Sequence, residues 1–303
     1  MYHYVRPVKK SQYPKIKGLE LEGFIRQMNY FCKKFTFLSA SNLIEGIYNT
    51  KEISPNSMAL TFDDGFKDHY LHVFPILKKL NIQGLFFPPA MPIEENSVLN
   101  THKIQFILAS SKNNHELSNE LKELIRIHQD KFNLHSADTY LSKIVLPSRF
   151  DDSDVNFIKK TLQKNLPEKA RNEFVNTLFQ KYVTEDEKSF SKELYLSYEQ
   201  IKEMIEGGMY FGAHSYRHEL FGDSPKDKLK IELEKGSRFL TKINKNKDSW
   251  IMCYPYGNYN ETVIQNLEKM GYQAGLTTAV EDAILSRKNA FKLSRYDTND
   301  FPQ

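Results

Sequence analysis

The chain has 303 residues, 40% hydrophobic and 13% aromatic, which is ample for a substantial core and unlike a disordered or fibrous protein. Its formal net charge of +4 is carried mostly by single lysines without a dense basic stripe, so nucleic-acid binding has no specific support, while anionic substrates or surfaces remain compatible. Two cysteines, Cys32 and Cys253, do not make a disulfide framework, the opening residues lack the charged start and apolar run of a signal peptide, and no stretch approaches the roughly 18 apolar residues of a membrane span. Together these features predict a soluble, cytoplasmic protein.

Short strands followed by helices predict a largely parallel α/β sheet or barrel. Tyr2–Val5 reads as a short first strand. Leu21, Phe24, Met28 and Phe31 recur at helical spacing and predict a helix over Leu21–Phe35, with Lys33 and Lys34 at its basic end. Ser57–Phe62 is an apolar run closed by Asp63, Asp64 and Gly65, the pattern of a buried strand ending in a turn. Tyr70, Val73, Leu77 and Leu80 predict a helix that Pro75 either kinks or starts. Gly84–Phe87 is the next strand, ended by Pro88 and Pro89. From about 94 to 193 glycine is absent and amphipathic patterns dominate, as in Leu117, Leu121, Leu124 and Ile125. This predicts a helical insertion within a single catalytic domain spanning 1–303.

The alternation then resumes. Ser197 and Gln200 form a capping box for a helix through Ile201, Met204 and Ile205 that stops at Gly207 and Gly208. Met209–Ala213 is a strand leading into His214. Ser224 and Pro225 read as N-cap and first residue of a helix. Trp250–Tyr254 is a strand leading into Pro255, and Asn260 caps a helix ending at Gly271. Ala274–Thr278 and Lys292–Tyr296 are the last predicted strands.

Three strand ends carry polar residues that ordinary turns do not require: Thr61–Gly65, His214–His218 and Tyr254–Asn258. In parallel α/β folds such ends form the active-site face. Histidines four apart, as His214 and His218, share one side of a helical turn. With one carboxylate they make a set suited to Zn²⁺ and related ions, leaving a position for water. Each piece alone has a plainer reading: Asp-Asp-Gly is usually just a turn, and a histidine pair is more often not a ligand pair. Their joint occurrence at strand ends favours a site.

These segments resemble the polysaccharide deacetylases, carbohydrate esterase family 4. Thr-Phe-Asp-Asp-Gly at 61–65, His-Ser-x-x-His at 214–218 and Tyr-Pro-Tyr-Gly at 254–257 look like the family's first three motifs, in its order. The likeness covers about 57–90 and 195–297 and leaves the insertion outside. It implies a distorted (β/α) barrel. It also implies a metal, most simply Zn²⁺ with Co²⁺ or Ni²⁺ as alternatives, held by Asp64, His214 and His218. Asp63 would be the general base, and the backbone N–H of Tyr256 a donor to the oxyanion. The implied reaction removes an N-acetyl group from an amino sugar. The substrate would be an N-acetylated sugar or glycan, nucleotide-linked or lipid-linked, in surface-polysaccharide biosynthesis.

Two departures matter. Where many members carry an arginine in the third motif, this chain has Cys253, read as a small buried residue; Arg295 is the candidate to orient Asp63 instead. The C-terminal histidine that usually serves as general acid is missing. A circularly permuted branch, which includes poly-N-acetylglucosamine deacetylases, looks similar in the third motif and supplies the acid from an N-terminal Tyr-His-x-Val. This chain begins Tyr2, His3, Tyr4, Val5, which makes His3 the candidate acid. His69 is expected at the pocket rim, and Asp297 as a partner that orients a catalytic histidine. Tyr70, Tyr216 and Tyr259 are candidates for stacking on sugar faces. A deformylase or cyclic-amide hydrolase on the same scaffold, and an inactive carbohydrate-binding protein, are the rival readings.

Overall fold

In the computed structural model, which describes residues 1–49, 51–142, 152–244 and 246–302, every described strand pair is parallel. β1 (Val5–Arg6) pairs with β2 (Leu19–Glu20), and β3 (Thr36–Phe37) with β4 (Ser57–Met58). β5 (Leu60–Asp63), β6 (Gly84–Phe87) and β7 (Tyr210–Phe211) form one sheet in that order, with Asp63 opposite Phe87. β8 (Ile251–Cys253) pairs with β9 (Ala274–Leu276). Single bridges from Tyr2 to Phe62, Ala213 to Met252 and Leu276 to Leu293 link the pieces.

Parallel strands covered on both faces read as continuous apolar runs, and all residues of β5 and β6 are buried. Phe62, Phe86 and Phe211 stack in file across the sheet, with centroids 4.8 and 5.4 Å apart. Such pairs contribute about 0.5–1.5 kcal/mol each beyond burial. The expected single strand over Ser57–Phe62 is instead two, because β4 pairs with β3 while β5 pairs with β6. A second core gathers under β8 and β9, with Trp250, Tyr254, Val263 and Leu267 among its buried members.

The helix Leu21–Lys34 buries Phe24, Met28 and Phe31, as its spacing predicts. Ser197 Oγ accepts from the Gln200 N–H at 3.2 Å, and Gln200 Oε1 from the Ser197 N–H at 3.0 Å, opening the helix Tyr198–Glu206. A side-chain cap of this kind stabilises by about 1 kcal/mol. Asn260 caps the helix Glu261–Lys269 one way only, its Oδ1 accepting from the Val263 N–H at 3.0 Å. Pro75 falls in the first turn of Phe74–Leu80, after a wide turn over His69–Val73, where its missing N–H costs nothing. The cap expected of Ser224 does not form. Its hydroxyl donates back to the Leu220 carbonyl, and Pro225 itself occupies the capping position of the helix Lys226–Ile243. Lys292–Tyr296 is not a regular strand: it keeps the single bridge at Leu293 and the bond from the Arg295 N–H to the Ala279 carbonyl, 2.9 Å.

By contacts the chain divides into two units. One comprises Met1–Val8, Lys17–Ser97 and Ser191–Gln303 and contains all the described strands; the other comprises Lys9–Ile16 and Val98–Phe190. The second is helical, including Asn100–Ser110, Asn114–Ile127 and Glu168–Tyr182, and buries Leu117, Leu121 and Ile125; residues 143–151 of the expected insertion lie outside the described residues. The segment Lys9–Ile16 joins this unit through Tyr13, whose ring meets Phe106 at 4.9 Å. Among the described residues no helix is long and apolar enough to cross a membrane.

Candidate metal centre and active site

β5 delivers two carboxylates with different surroundings. Asp63 is the last residue of the strand, and Asp64 leaves it with a φ of 70°. Non-glycine residues rarely take that conformation, aspartate more often than most. Gly65 follows at a φ of 64°, with Pro88 so close that a Cβ would sit 2.5 Å from its ring. Only glycine fits that step.

Asp63 is buried and gripped by Arg295, whose Nη1 donates to Oδ1 and Nη2 to Oδ2, both at 2.9 Å. The guanidinium is itself fixed, Nε to the Thr277 carbonyl at 2.8 Å and Nη1 to Thr61 Oγ1 at 3.1 Å. Thr61 and Asp63 are two apart on β5 and so face the same side. The Cys253 thiol lies 3.4 Å from Asp63 Oδ2. Burial alone would raise the carboxyl's pKa, but the Arg295 charge, helped by His214 and the Arg295 hydrogen bond, outweighs it and holds Asp63 well below the usual carboxylate range. Burial pushes the Cys253 thiol up. Cys253 is thus the small buried residue the sequence suggests, and Arg295 meets Asp63 from a different part of the chain.

His214 follows Ala213, which bonds to Ile251 and Cys253 of β8. Its Nδ1 lies 2.7 Å from the Cys253 carbonyl. A carbonyl only accepts, so Nδ1 carries a proton, which leaves Nε2 as the nitrogen turned toward Asp64. That Nε2 lies 3.5 Å from Asp64 Oδ1, and His218 Nε2 lies 3.5 Å from the same oxygen. The histidines do not share a helical turn, as their spacing suggests. A bent loop joins them, with Ser215 at a φ of 64° and His218 at 59°. The His218 N–H is held by Ser215 Oγ at 2.8 Å.

Asp64, His214 and His218 bring their donor atoms within 4.8 Å of one another, all buried. Two imidazole nitrogens and one carboxylate oxygen fit a Zn²⁺-like ion. Among the described residues, the donor atoms of Asp63, His214 and Cys253 also lie within 4.8 Å of one another. Their chemistry fits less well: Asp63 has both oxygens on Arg295, and the thiol is pushed away from the thiolate a metal needs.

The other predicted residues fall as follows. The Asp63 N–H donates to the Tyr2 carbonyl at 2.9 Å, which lays Tyr2 and His3 alongside β5; His3 is half-buried. Tyr256 has a φ of 57° and sets its ring 4.7 Å from that of His218, between centroids. His69 is not at a rim. It is fully buried against Phe62, Phe66 and Phe86, its Nε2 2.8 Å from the His3 carbonyl, and burial lowers its pKa to about 4. Asp297 accepts from the Asn299 N–H at 2.9 Å and caps its own turn, while the Cys253 carbonyl orients His214. Tyr216 is buried with its hydroxyl on Glu95, Tyr70 bonds Glu203, and Tyr259 stacks on Tyr254. Sequence reasoning gave no role to the Cys253 carbonyl or to Thr61. The i, i+2 alternation on β5 could have found Thr61; a backbone carbonyl leaves no signal.

A family model described as polysaccharide deacetylase matches residues 50–139 and 141–275. The putative polysaccharide deacetylase YxkH of Bacillus subtilis (strain 168) is 34% identical over 92 residues, 30% of this chain. The chain thereby spans 32% of that relative's length. Among solved structures, the Streptococcus pyogenes deacetylase PplD, in complex with acetate, aligns with a TM-score of 0.58 at 18% identity, covering 97% of this chain and 88% of PplD. IcaB from Ammonifex degensii aligns with a TM-score of 0.50 at 16% identity, covering 92% and 82%. At such identities these two likenesses concern the fold. With the motif residues gathered as described and three quarters of its length matching one family model, the chain belongs to the polysaccharide deacetylase family.

Proposed function

We propose that this protein is a divalent-metal-dependent hydrolase, most simply a Zn²⁺ enzyme, that removes the N-acetyl group of an amino sugar. The observation that carries the reading is the pairing of Asp64, His214 and His218, donors within 4.8 Å, with the adjacent Asp63 carboxylate locked by Arg295. Asp64 Oδ1, His214 Nε2 and His218 Nε2 would hold the ion. When bound, such an ion would supply Lewis acidity toward an acyl oxygen and toward water.

The chain's own residues do the rest. Asp63 accepts the proton of the attacking water. Arg295 aims the carboxylate and keeps it ionised at any working pH, at some expense of basicity. The Tyr256 N–H, set by the left-handed turn at that residue, donates to the acyl oxygen as negative charge grows there. His3 gives a proton to the amine as the C–N bond breaks, leaving acetate and a free amino sugar. The hydrogen bond from His69 to the His3 carbonyl fixes the segment that carries this acid.

The strands that carry these residues fit a distorted (β/α) barrel within a single catalytic domain, the helical unit being an insertion into it. Support comes from bonds on both sides of the C-terminal segment: the Thr277 N–H to the Leu293 carbonyl at 2.8 Å, and the Thr298 N–H to the Met1 carbonyl at 3.2 Å. Tyr2 in turn donates to the Thr61 carbonyl at 2.8 Å. A cytoplasmic setting suits two cysteines that are both free thiols. Surface-polysaccharide biosynthesis, on a nucleotide-linked or lipid-linked sugar, is the role we favour.

The test is acetate release from a panel of N-acetylated nucleotide sugars and glycans, by chelator-stripped protein with and without added Zn²⁺, Co²⁺ or Ni²⁺. We expect metal-dependent acetate from at least one substrate. Formate or a ring-opened product would move the reaction to another amide on the same scaffold. Sugar binding without turnover in any metal would point to an inactive carbohydrate-binding protein.

A further inference from the structure

The loop between the two histidines is held by a carboxylate outside all three motifs. Glu232, on the helix Lys226–Ile243, is 1% exposed. Its Oε2 accepts from the Tyr216 N–H at 3.2 Å and from the Arg217 N–H at 2.8 Å. The same stretch is held through its carbonyls, by the Ala90 N–H to Ser215 at 3.2 Å and the Met91 N–H to Tyr216 at 2.9 Å. One turn along the helix, Gly236 lets the chain approach so closely that a Cβ there would lie 3.2 Å from the Ser215 carbonyl carbon.

This grip has work to do. Ser215 and His218 both occupy the left-handed region, which residues with a Cβ avoid unless their surroundings over-determine it. A buried carboxylate is costly unless hydrogen-bonded, and this one spends an oxygen on two loop N–H groups that would otherwise be orphaned. Its other partner is weak: Arg217 Nε stands 4.0 Å from Oε1, on a side chain that is 40% exposed. The loop amides are therefore its main bonding partners.

We propose that Glu232 is a positioning residue of the metal centre, clamping the 215–217 backbone so that His214 and His218 both turn Nε2 toward Asp64. The inference rests on the metal-centre reading above. It differs from a purely structural role in one respect: the clamp sets metal affinity in protein that remains folded.

The experiment measures Zn²⁺ affinity of the full chain, stripped by chelator, in competition with a chromophoric chelator. Wild type, Glu232→Gln and Glu232→Ala are compared at a temperature where near-ultraviolet circular dichroism shows each folded. Glutamine keeps a carbonyl oxygen for the two N–H groups, so Glu232→Gln should stay near wild-type affinity, whereas Glu232→Ala should bind about 10–100-fold more weakly. If Glu232→Ala does not fold, Glu232→Ser, whose smaller side chain admits water to the two amides, reads the same loss. Unchanged Zn²⁺ affinity in Glu232→Ala or Glu232→Ser, with only a lowered unfolding midpoint, overturns the proposal. So does a Glu232→Gln defect equal to that of Glu232→Ala. Absence of stoichiometric metal in wild type removes the metal-centre reading itself, a failure seen separately in the wild-type arm.

Discussion

Asp63 and Asp64 are neighbours in sequence with opposite surroundings. Asp63 stays in the strand and has both oxygens on one guanidinium, with a threonine and a thiol close by. Asp64 turns out of the strand at a φ of 70° and faces two imidazoles. One half of the site is a closed ion pair, and the other is a set of donors gathered around a common point. The difference teaches how one strand end could supply both the base and the ligand proposed above: a single change in backbone conformation separates the two carboxylates.

The largest expected effect lies on the ligand side. Asp64→Ala removes the oxygen shared by both histidines and should abolish stoichiometric metal binding, measured by metal analysis after dialysis. Retention of one tightly bound metal per chain would break the division between the halves.

On the other side, Asp63→Asn and His3→Ala should each lower kcat about 10²–10⁴-fold as losses of proton transfer. Both should leave Zn²⁺ affinity close to wild type, since neither is a ligand in the proposed centre. A rate change of only a few-fold in folded His3→Ala removes that residue from the mechanism.

Arg295→Met tests the closed pair through stability. It leaves the buried Asp63 charge uncompensated, which typically costs about 3–5 kcal/mol. Urea unfolding of the chelated protein reads this directly, and a loss below about 1 kcal/mol, the level of a surface pair, would show that the fork does not hold Asp63.

The comparison also explains which parts of the site the sequence made legible. Both aspartates, both histidines and the Tyr256 turn were readable because each follows an apolar run at a strand end. The caps at Ser197 and Asn260 were readable because capping depends on residues only three apart. The shape of the histidine loop was not, since its left-handed residues are Ser215 and His218 rather than glycines, and neighbouring chain segments impose that conformation. Glu232 was hidden for the same reason: a glutamate on a helix rich in lysine and glutamate looks like any exposed one. His69 was misjudged because proximity to Asp64 in sequence suggested a rim, whereas the wide turn at His69–Val73 points it into an aromatic core.

That burial yields a pH prediction. His69 has an ordinary value of 6.5 and is lowered to about 4 by desolvation, with the bond to His3 and the Asp64 and Asp63 charges opposing the fall. Its folded pKa is below its unfolded one, so the unfolded chain binds the extra proton first. The contribution is complete above about pH 6.5 and is lost as pH falls toward 4, in total roughly 3 kcal/mol. His69→Gln should flatten this part of the curve of unfolding free energy against pH in chelated protein. An unchanged slope would mean that His69 is not held neutral. The smallest effect belongs to Cys253→Ala, about 1 kcal/mol of stability, because Asp63 keeps both bonds to Arg295 and His214 keeps a backbone partner.

The most direct measurement is X-ray absorption at the zinc edge of the loaded protein, because the two candidate ligand groups among the described residues share His214 and differ in sulfur. The account predicts a first shell of nitrogen and oxygen at about 2.0–2.2 Å, from His214, His218 and Asp64, unchanged in Cys253→Ala. A sulfur scatterer at about 2.3 Å that vanishes in Cys253→Ala would place the metal on the Asp63 side and contradict it.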